Sequence, residues 1–287
     1  MDMPRIHRRH FLLQAGWLGV AGLATPLGAV DSPPATPIPG DDPLVDRAGA
    51  EATLEYPRND PDRVRRVVGA SHSNLDVVRD LVREQPALAK ASWDWGFGDW
   101  ETALGAASHT GRHAIAEFLI AHGARPTLYS ATMMGHLEVV RGFLEADPDL
   151  ALLPGPHGIP LQAHARFGGS EAEPVLAYLL DRFGEDERPF GTPGTEALEA
   201  RYGGSYRFEA DPPFSIQVAV GGMSTQWLMV GAGATPSSRI LEVEPDVYAP
   251  AGAPAVRLHF QVANGRAEAL TIHDGPVVAT GQRADEA

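Results

Sequence analysis

The stretch that decides the fold is Thr102-Ala103-Leu104-Gly105-Ala106-Ala107-Ser108-His109-Thr110-Gly111, followed by Ile115 and Phe118-Leu119. The small residues at its start favour a short helix that a neighbouring helix can approach closely. Gly111 permits the positive φ of a tight turn. The apolar residues after it recur at i, i+3 and i+4, which predicts a second helix with one apolar face. Neither helix can bury its face alone, so the pattern predicts stacked helix pairs.

Three further segments of the chain repeat this pattern. They contain Val67, Ala70, Asn74, Val78 and Leu81-Val82; Leu128, Ala131, Gly135-His136-Leu137 and Phe143-Leu144; and Ile159-Pro160-Leu161-Gln162-Ala163-His164-Ala165 with Gly168. Asn74 replaces the glycine between the helices, because asparagine also tolerates positive φ. Residues 62–187 therefore resemble an ankyrin-repeat domain, whose template is Thr-Pro-Leu-His-x-Ala. The resemblance implies a helical solenoid of about four repeats, and the alternative is an unrelated helical bundle.

The spacing of the repeats indicates an unusual connection. The unit starts at Arg65, Thr102, Pro126 and Ile159 are 37, 24 and 33 residues apart, against a standard period of about 33. The lengthened first connection is Ser92-Trp93-Asp94-Trp95-Gly96-Phe97-Gly98-Asp99-Trp100-Glu101, which holds three of the five tryptophans. We call it the aromatic finger, and its glycines permit a tight hairpin tip. The third connection, Leu153-Pro154-Gly155-Pro156-His157-Gly158, places His157 in the register of Trp100.

A binding surface follows from the ankyrin resemblance, because such modules bind through their fingers and the concave face of their first helices. That surface comprises Trp93, Trp95, Phe97, Trp100, His109, Tyr129, Met133, His157, Gln162 and Arg166. Tryptophan and tyrosine dominate the energetics of protein interfaces. Our leading hypothesis is a non-catalytic protein that binds a protein or peptide partner here. Alternatively, the aromatic finger folds back as a lid or packs against the C-terminal domain.

A change of period marks the C-terminal domain. After a linker at residues 188–195, apolar residues alternate with period 2 in six or seven short segments, and Asn264-Gly265 is a strong hairpin signal. Residues 196–287 are thus predicted to form a small antiparallel β-barrel or sandwich, which makes the whole chain an α+β multidomain protein. The Tyr202-Gly203-Gly204-Ser205-Tyr206 opening and the hairpin resemble the lipocalin-like β domain that follows penicillin-binding-protein-type serine hydrolases. In that family the domain is an accessory to a catalytic domain.

The N-terminus has the pattern of an export signal. Arg8-Arg9 precede an apolar run from Phe11 to Ala24, and residues 1–29 resemble a twin-arginine-type signal peptide. A helix of that run rises about 21 Å, less than the ~30 Å hydrocarbon core, so no membrane span is predicted in the mature form. The resemblance implies a periplasmic protein with a Pro-rich, disordered linker at residues 30–61. The alternatives are a chance basic start on a buried helix and an uncleaved anchor.

Composition excludes several classes of function. The chain has no cysteine, and Lys90 is its only lysine, so disulfides, zinc-thiolate sites and Schiff-base chemistry are not expected. A net charge of -14 argues against nucleic acid as a partner. No catalytic motif is present, and we predict neither catalytic residues nor a cofactor. His109 and His113 are four residues apart, but the turn at Gly111 should keep them off one helical face, so no metal site is predicted.

One arrangement of acidic and histidine residues keeps a second hypothesis open. A cleft that pairs Asp94, Asp99 or Glu101 with His109 and His157 could carry out acid-base chemistry. The alternative function is therefore a small-molecule-binding or hydrolytic protein. Its cleft would lie between the helical repeats and the β domain, lined by Trp95, His109 and His157.

Overall fold

Four helix pairs make up the first part of the chain in a computed structural model that describes residues 57–222, 226–232 and 238–284. The pairs are α1 (Pro61–Ala70) with α2 (Leu75–Glu84), α3 (Ala103–His109) with α4 (His113–Ala121), α5 (Leu128–Met133) with α6 (Leu137–Ala146), and α7 (Leu161–Phe167) with α8 (Glu173–Phe183). Short 3₁₀ helices occupy Pro86–Lys90, Pro148–Leu152, Pro156–Gly158 and Gly169–Ala172. The prediction that residues 62–187 are mainly helical is confirmed. The predicted signal peptide and most of the predicted linker, residues 1–56, lie outside the described residues.

Side-chain caps fix where several helices begin. At four helix starts within these pairs, a side-chain oxygen accepts a hydrogen bond from the backbone N–H three residues later, at Asp60, Asn74, Thr102 and Thr127. Each cap satisfies a donor that the first helical turn leaves unpaired. Gly111 and Gly135 form the turns within two pairs at φ values of 66° and 73°. A Cβ at either glycine would collide with the backbone carbonyl of Phe167 or Glu171.

The first helices of successive pairs pack against one another, α1 on α3, α3 on α5, and α5 on α7. Ala103, Ala106 and Ala107 on α3 are fully buried, and such small residues allow helix axes to approach closely. Larger apolar residues from the second helices complete two cores, with Val78 and Leu119 in one and Val140 and Leu179 in the other. None of the described helices is long and apolar enough to cross a membrane.

The aromatic finger is a two-stranded antiparallel hairpin of β1 (Ser92–Asp94) and β2 (Trp100–Thr102). Gly96, Phe97 and Gly98 at its tip all have positive φ, which confirms the predicted tight tip. The hairpin packs on α1 and α3 at its base, while Phe97 packs against the core of the C-terminal domain.

The C-terminal domain is a closed antiparallel barrel of eight strands, preceded by α9 (Glu196–Tyr202). The strands are β3 (Gly204–Phe208), β4 (Phe214–Gly221), β5 (Trp227–Ala232), β6 (Ser238–Glu244), β7 (Val247–Pro250), β8 (Arg257–Ala263), β9 (Arg266–Asp274) and β10 (Val277–Arg283). Each strand pairs with its neighbour in sequence, and β10 closes the barrel on β3. Tyr206, Phe208, Tyr248 and Leu258 are buried in its core.

The structure both confirms and corrects the predicted β domain. The Asn264-Gly265 hairpin is confirmed, with both residues at positive φ. Residues 196–202 form a helix rather than the start of the β pattern, because Thr195 caps a run of good helix formers. The barrel has eight strands instead of six or seven, since β7 and the turn-flanked β10 were not predicted.

The helical region and the barrel belong to one compact unit. The predicted linker at residues 188–195 is bonded to barrel strands, since the Thr192 N–H donates to the Ile240 carbonyl and the Leu228 N–H donates to the Thr192 carbonyl. Asp99 of the aromatic finger lies against Gly252, and Gly158 lies against Ala251. The finger and the third connection therefore form the joint between the helices and the barrel.

Candidate functional site

A buried polar cluster lies at this joint. It consists of His72, Asp99, Glu101, His109 and His157, and we call it the junction cluster. One ligand atom each from His72, Glu101, His109 and His157 lies within 4.8 Å of the other three. The Glu101 side chain is 0% exposed, and only His72 retains appreciable exposure, at 22% of its side chain.

The repeated helix pairs bring two of the imidazoles together. His72 lies in the turn between α1 and α2, and His109 is the last residue of α3. The positive φ predicted for Asn74 in that turn is wrong, because Asn74 has a φ of -123° and caps the start of α2. Because α1 packs on α3, the ends of these two helices are neighbours, and the two ring centroids are 4.9 Å apart. β2 supplies Glu101 from the finger, and the third connection supplies His157.

The carboxylate of Glu101 is the centre of the cluster. Its Oε1 lies 2.7 Å from His109 Nε2 and 3.4 Å from His157 Nε2. Its Oε2 accepts a hydrogen bond of 2.8 Å from the Trp95 indole N–H and lies 3.5 Å from His72 Nε2. Three imidazole Nε2 atoms thus surround one carboxylate.

The opposite nitrogens of two of these imidazoles are fixed by groups that only accept hydrogen bonds. His157 Nδ1 lies 2.7 Å from Asp99 Oδ2, and His72 Nδ1 lies 3.0 Å from the Gly69 carbonyl oxygen. Each Nδ1 must therefore carry hydrogen, so in the neutral imidazole the lone pair is on Nε2. These lone pairs face the oxygens of Glu101, an arrangement that is repulsive unless a proton or a metal ion lies between them.

Burial and ionic contacts shift the pKa values within the cluster. Burial alone would lower the pKa of His157, but Asp99 and Glu101 raise it to about 9. Burial alone would also raise the pKa of Glu101, but hydrogen bonds from His109 and His157 hold it well below its usual range. Burial lowers the pKa of His109. Without a metal, a His157 imidazolium therefore lies between the Asp99 and Glu101 carboxylates.

A groove of about 680 Å³ lies beside the junction cluster. Arg65, Arg66, Trp93 and Asp94 are among the residues that line it. Gly69 and Trp95 also line it, and both contact the junction cluster through His72 and Glu101. The cluster and the groove thus share a wall.

The structure brings together three of the ten residues predicted to bind a partner. Trp95, His109 and His157 meet at Glu101, and Trp93 lines the adjoining groove. The predicted pairing of Asp99 and Glu101 with His109 and His157 is confirmed as geometry. Asp94 instead accepts a hydrogen bond from the Gly96 N–H at the hairpin tip.

The other predicted residues lie in separate environments. Phe97 packs on the barrel core, Met133 is fully buried among the helices, and Trp100 is 62% exposed. The Tyr129 hydroxyl donates to the Leu153 carbonyl. Gln162 and Arg166 bond to the segment after α8, where their partners are Gly184, Glu185 and Asp186. Met133 and Gln162, both buried, present little surface to a partner.

The sequence pattern did not predict one member of the cluster, His72. The pattern aligns Asn74 with Gly111, whereas in the structure Asn74 is the N-cap of α2 and Gly111 precedes the N-cap of α4. His113 lies outside the cluster, where its ring contacts the Gly168 carbonyl and Glu171. This agrees with the prediction that the turn at Gly111 separates His109 from His113.

Comparison with known proteins adds no further constraint. No protein-family model matches the chain, and no curated protein matches it. The functional argument therefore depends on the geometry of the junction cluster and its surroundings.

Proposed function

We propose that this protein binds one divalent transition-metal ion through Nε2 of His72, His109 and His157 and the carboxylate of Glu101. The observation that carries the proposal is the convergence of three imidazole Nε2 atoms on one buried carboxylate, a donor set that a metal ion can bind in place of the protons between them. Imidazole and carboxylate ligands suit ions such as Zn²⁺, Fe²⁺ and Ni²⁺. The four ligand atoms lie within 4.8 Å of one another, and bonds of about 2.1 Å to a tetrahedral ion require the longest of these separations to shorten to about 3.4 Å.

The groups around the ligands support the proposal. Metal-bound histidines usually donate their second ring N–H to a carboxylate or a backbone carbonyl, as His157 does to Asp99 and His72 does to Gly69. Trp95 holds one oxygen of Glu101 and leaves the other to the centre of the cluster. The Arg239 guanidinium donates to the His157 carbonyl at 2.8 Å, which ties this ligand to the barrel.

Two finer assignments accompany this proposal. The four helix pairs, three of which have a positive-φ glycine at their turn, support an identity as divergent ankyrin repeats, and the closed barrel is compatible with the lipocalin-like resemblance. Export by the twin-arginine route suits a metalloprotein, because that route carries folded proteins and a centre built from residues 72 to 157 must fold before it holds its ion. Partner binding stays a prediction for the exposed Trp100.

Metal analysis of the purified protein tests the proposal. We expect about one equivalent of bound metal per chain by mass spectrometry, and a Co²⁺ titration of chelator-treated protein that gives ligand-field absorption bands. His109→Gln should lose both signals while keeping its far-ultraviolet circular dichroism. His136→Gln is the matched control, since His136 is exposed at the start of α6. A wild-type protein that takes up neither Zn²⁺ nor Co²⁺ would overturn the proposal, as would equal binding by wild type and His109→Gln.

A further inference from the structure

We propose that the groove beside the junction cluster binds a small organic carboxylate that contains a six-membered ring. Arg65 and Arg66 would hold the carboxylate, and Trp93 and Trp95 would contact the ring. This inference rests on the proposed function, since the metal centre would be the neighbour of the bound molecule across their shared wall at Gly69 and Trp95.

The two arginines supply the recognition of an anion. Arg65 and Arg66 are consecutive, exposed residues of α1 that line the groove. Within the described residues neither makes a hydrogen bond or an ion pair, whereas the neighbouring Arg63 pairs with Glu84 at 2.7 Å. Guanidinium groups match the two oxygens of a carboxylate. Two guanidinium groups without a partner among the described residues line one groove of a chain of net charge -14, which favours an anion from outside the chain.

The acids that line the same groove have other roles. Asp94 accepts a hydrogen bond of 2.9 Å from the Gly96 N–H and so stabilises the hairpin tip. Asp62 lies in the first turn of α1, where the helix dipole favours a negative charge. Neither acid forms an ion pair with Arg65 or Arg66 within the described residues, so both guanidinium groups remain free for a ligand.

The two tryptophans supply the recognition of a ring. Trp95 is fixed by its hydrogen bond to Glu101, and Trp93 is packed against the helical core, so both indoles are held in place. Rigid indole faces stack on aromatic rings and provide a large apolar contact surface. A volume of about 680 Å³ lies within the range typical of small-molecule sites. A ring that carries a carboxylate would contact both the tryptophans and the arginines of the groove.

Titration with chosen probes tests this inference. The probes are phenylacetate and glucuronate, which present the carboxylate on an aromatic ring and on a sugar ring. Their uncharged controls are 2-phenylethanol and glucose. At least one carboxylate should quench the tryptophan fluorescence of the metal-loaded protein saturably and bind about tenfold or more tightly than its control. If neither carboxylate binds, or if the controls bind equally well, the inference is wrong.

Arginine variants then locate the binding. Arg65→Gln with Arg66→Gln should weaken binding of that carboxylate about tenfold or more and leave the metal content unchanged. Arg83→Gln with Arg125→Gln removes the same charge from exposed positions that do not line the groove, and should bind normally. Equal weakening in both double variants would overturn the inference. A metal-free wild type would count against the metal centre alone, whereas a metal-loaded wild type that binds no carboxylate would count against the groove alone.

Discussion

Two polar clusters of this protein are built on opposite principles. One is the junction cluster, and the other is formed by Arg201, Tyr202 and Asp246 on the barrel, which we call the barrel cluster. In the barrel cluster Arg201 donates to both oxygens of Asp246, at 2.7 Å and 3.0 Å, and the Tyr202 hydroxyl donates to Oδ1 at 2.5 Å. Each carboxylate oxygen there faces a donor from the chain.

The junction cluster lacks that balance. The oxygens of Glu101 face Nε2 of His72, His109 and His157, and Nδ1 of His72 and of His157 is held on the other side of the ring by Gly69 and Asp99. The barrel cluster is complete with its own donors, whereas three imidazoles share one carboxylate in the junction cluster, for which we propose a bound cation. Both clusters are polar and at least partly buried, so these two properties do not distinguish them. The number of hydrogen-bond donors available to each carboxylate distinguishes the barrel cluster, a structural one, from the junction cluster, the candidate site.

Replacing the central carboxylate should have the largest effect. Glu101→Gln keeps the size of the side chain but removes the negative charge and places an amide N–H₂ group among the imidazoles. Because removal of an outer partner of a metal ligand costs 10–100-fold in affinity, loss of a ligand should cost more than about a hundredfold. Competition with a chromophoric chelator measures this affinity. Asp246→Asn makes the same chemical change in the barrel cluster and should leave metal affinity unaltered; a similar loss in both variants would remove the distinction between the clusters.

A smaller effect is expected from the carboxylate that holds His157. Asp99→Asn still accepts the His157 backbone N–H but no longer offers a charged acceptor to Nδ1. Metal affinity should fall about 10–100-fold, because the ring is then less firmly oriented and less basic. Ser238→Ala is the control, since the Ser238 hydroxyl makes only a 3.4 Å contact with Asp99 and should not change the affinity. If Asp99→Asn lowers the melting temperature but keeps wild-type affinity, Asp99 has only a structural role.

Part of this site could be predicted from the sequence, because the spacing of the repeats indicates which residues of different repeats occupy corresponding positions. The first and third connections lead into the second and fourth helix pairs, and the matched register of His157 and Trp100 indicated that Asp99, Glu101 and His157 could approach His109. His72 did not follow from this spacing, because Asn74 is the N-cap of α2 and does not form a glycine-like turn. The repeat spacing therefore predicted part of the cluster but not His72.

The remaining features depend on contacts that no local pattern encodes. Which nitrogen of His72 carries hydrogen follows from its approach to the Gly69 carbonyl, and the same choice in His157 follows from Asp99, 58 residues away in the chain. Alternation likewise predicted strands but not closure, because β10 must pair with β3 across the full length of the domain. The helix at residues 196–202 is different, since it has a local sequence signal, the cap residue Thr195 before a run of helix-forming residues.

The smallest predicted effect belongs to the barrel cluster and depends on pH. Burial alone would raise the pKa of Asp246, but Tyr202 and Arg201 lower it in the folded protein. A group with a lowered folded-state pKa stabilises the fold above its unfolded-state pKa, and this contribution is lost as the pH falls through the folded-state pKa. Asp246→Asn should thus lower the free energy of unfolding at pH 7 by about 1 kcal/mol at most, because the pair is partly exposed and screened by solvent.

The pH profile distinguishes this ionic contribution from a loss of packing. Urea unfolding of wild type and Asp246→Asn should differ by a constant free energy from pH 7 to about pH 5, and the difference should shrink below about pH 4, where a free aspartate becomes protonated. Asp274→Asn removes an exposed carboxylate at the end of β9 and should show no such difference. A difference that persists unchanged at acidic pH would mean that the Asp246 side chain acts through packing and neutral hydrogen bonds. The charge of Asp246 would then contribute little to the stability of the barrel cluster. The two clusters would differ only in the geometry of the hydrogen-bond donors around their carboxylates.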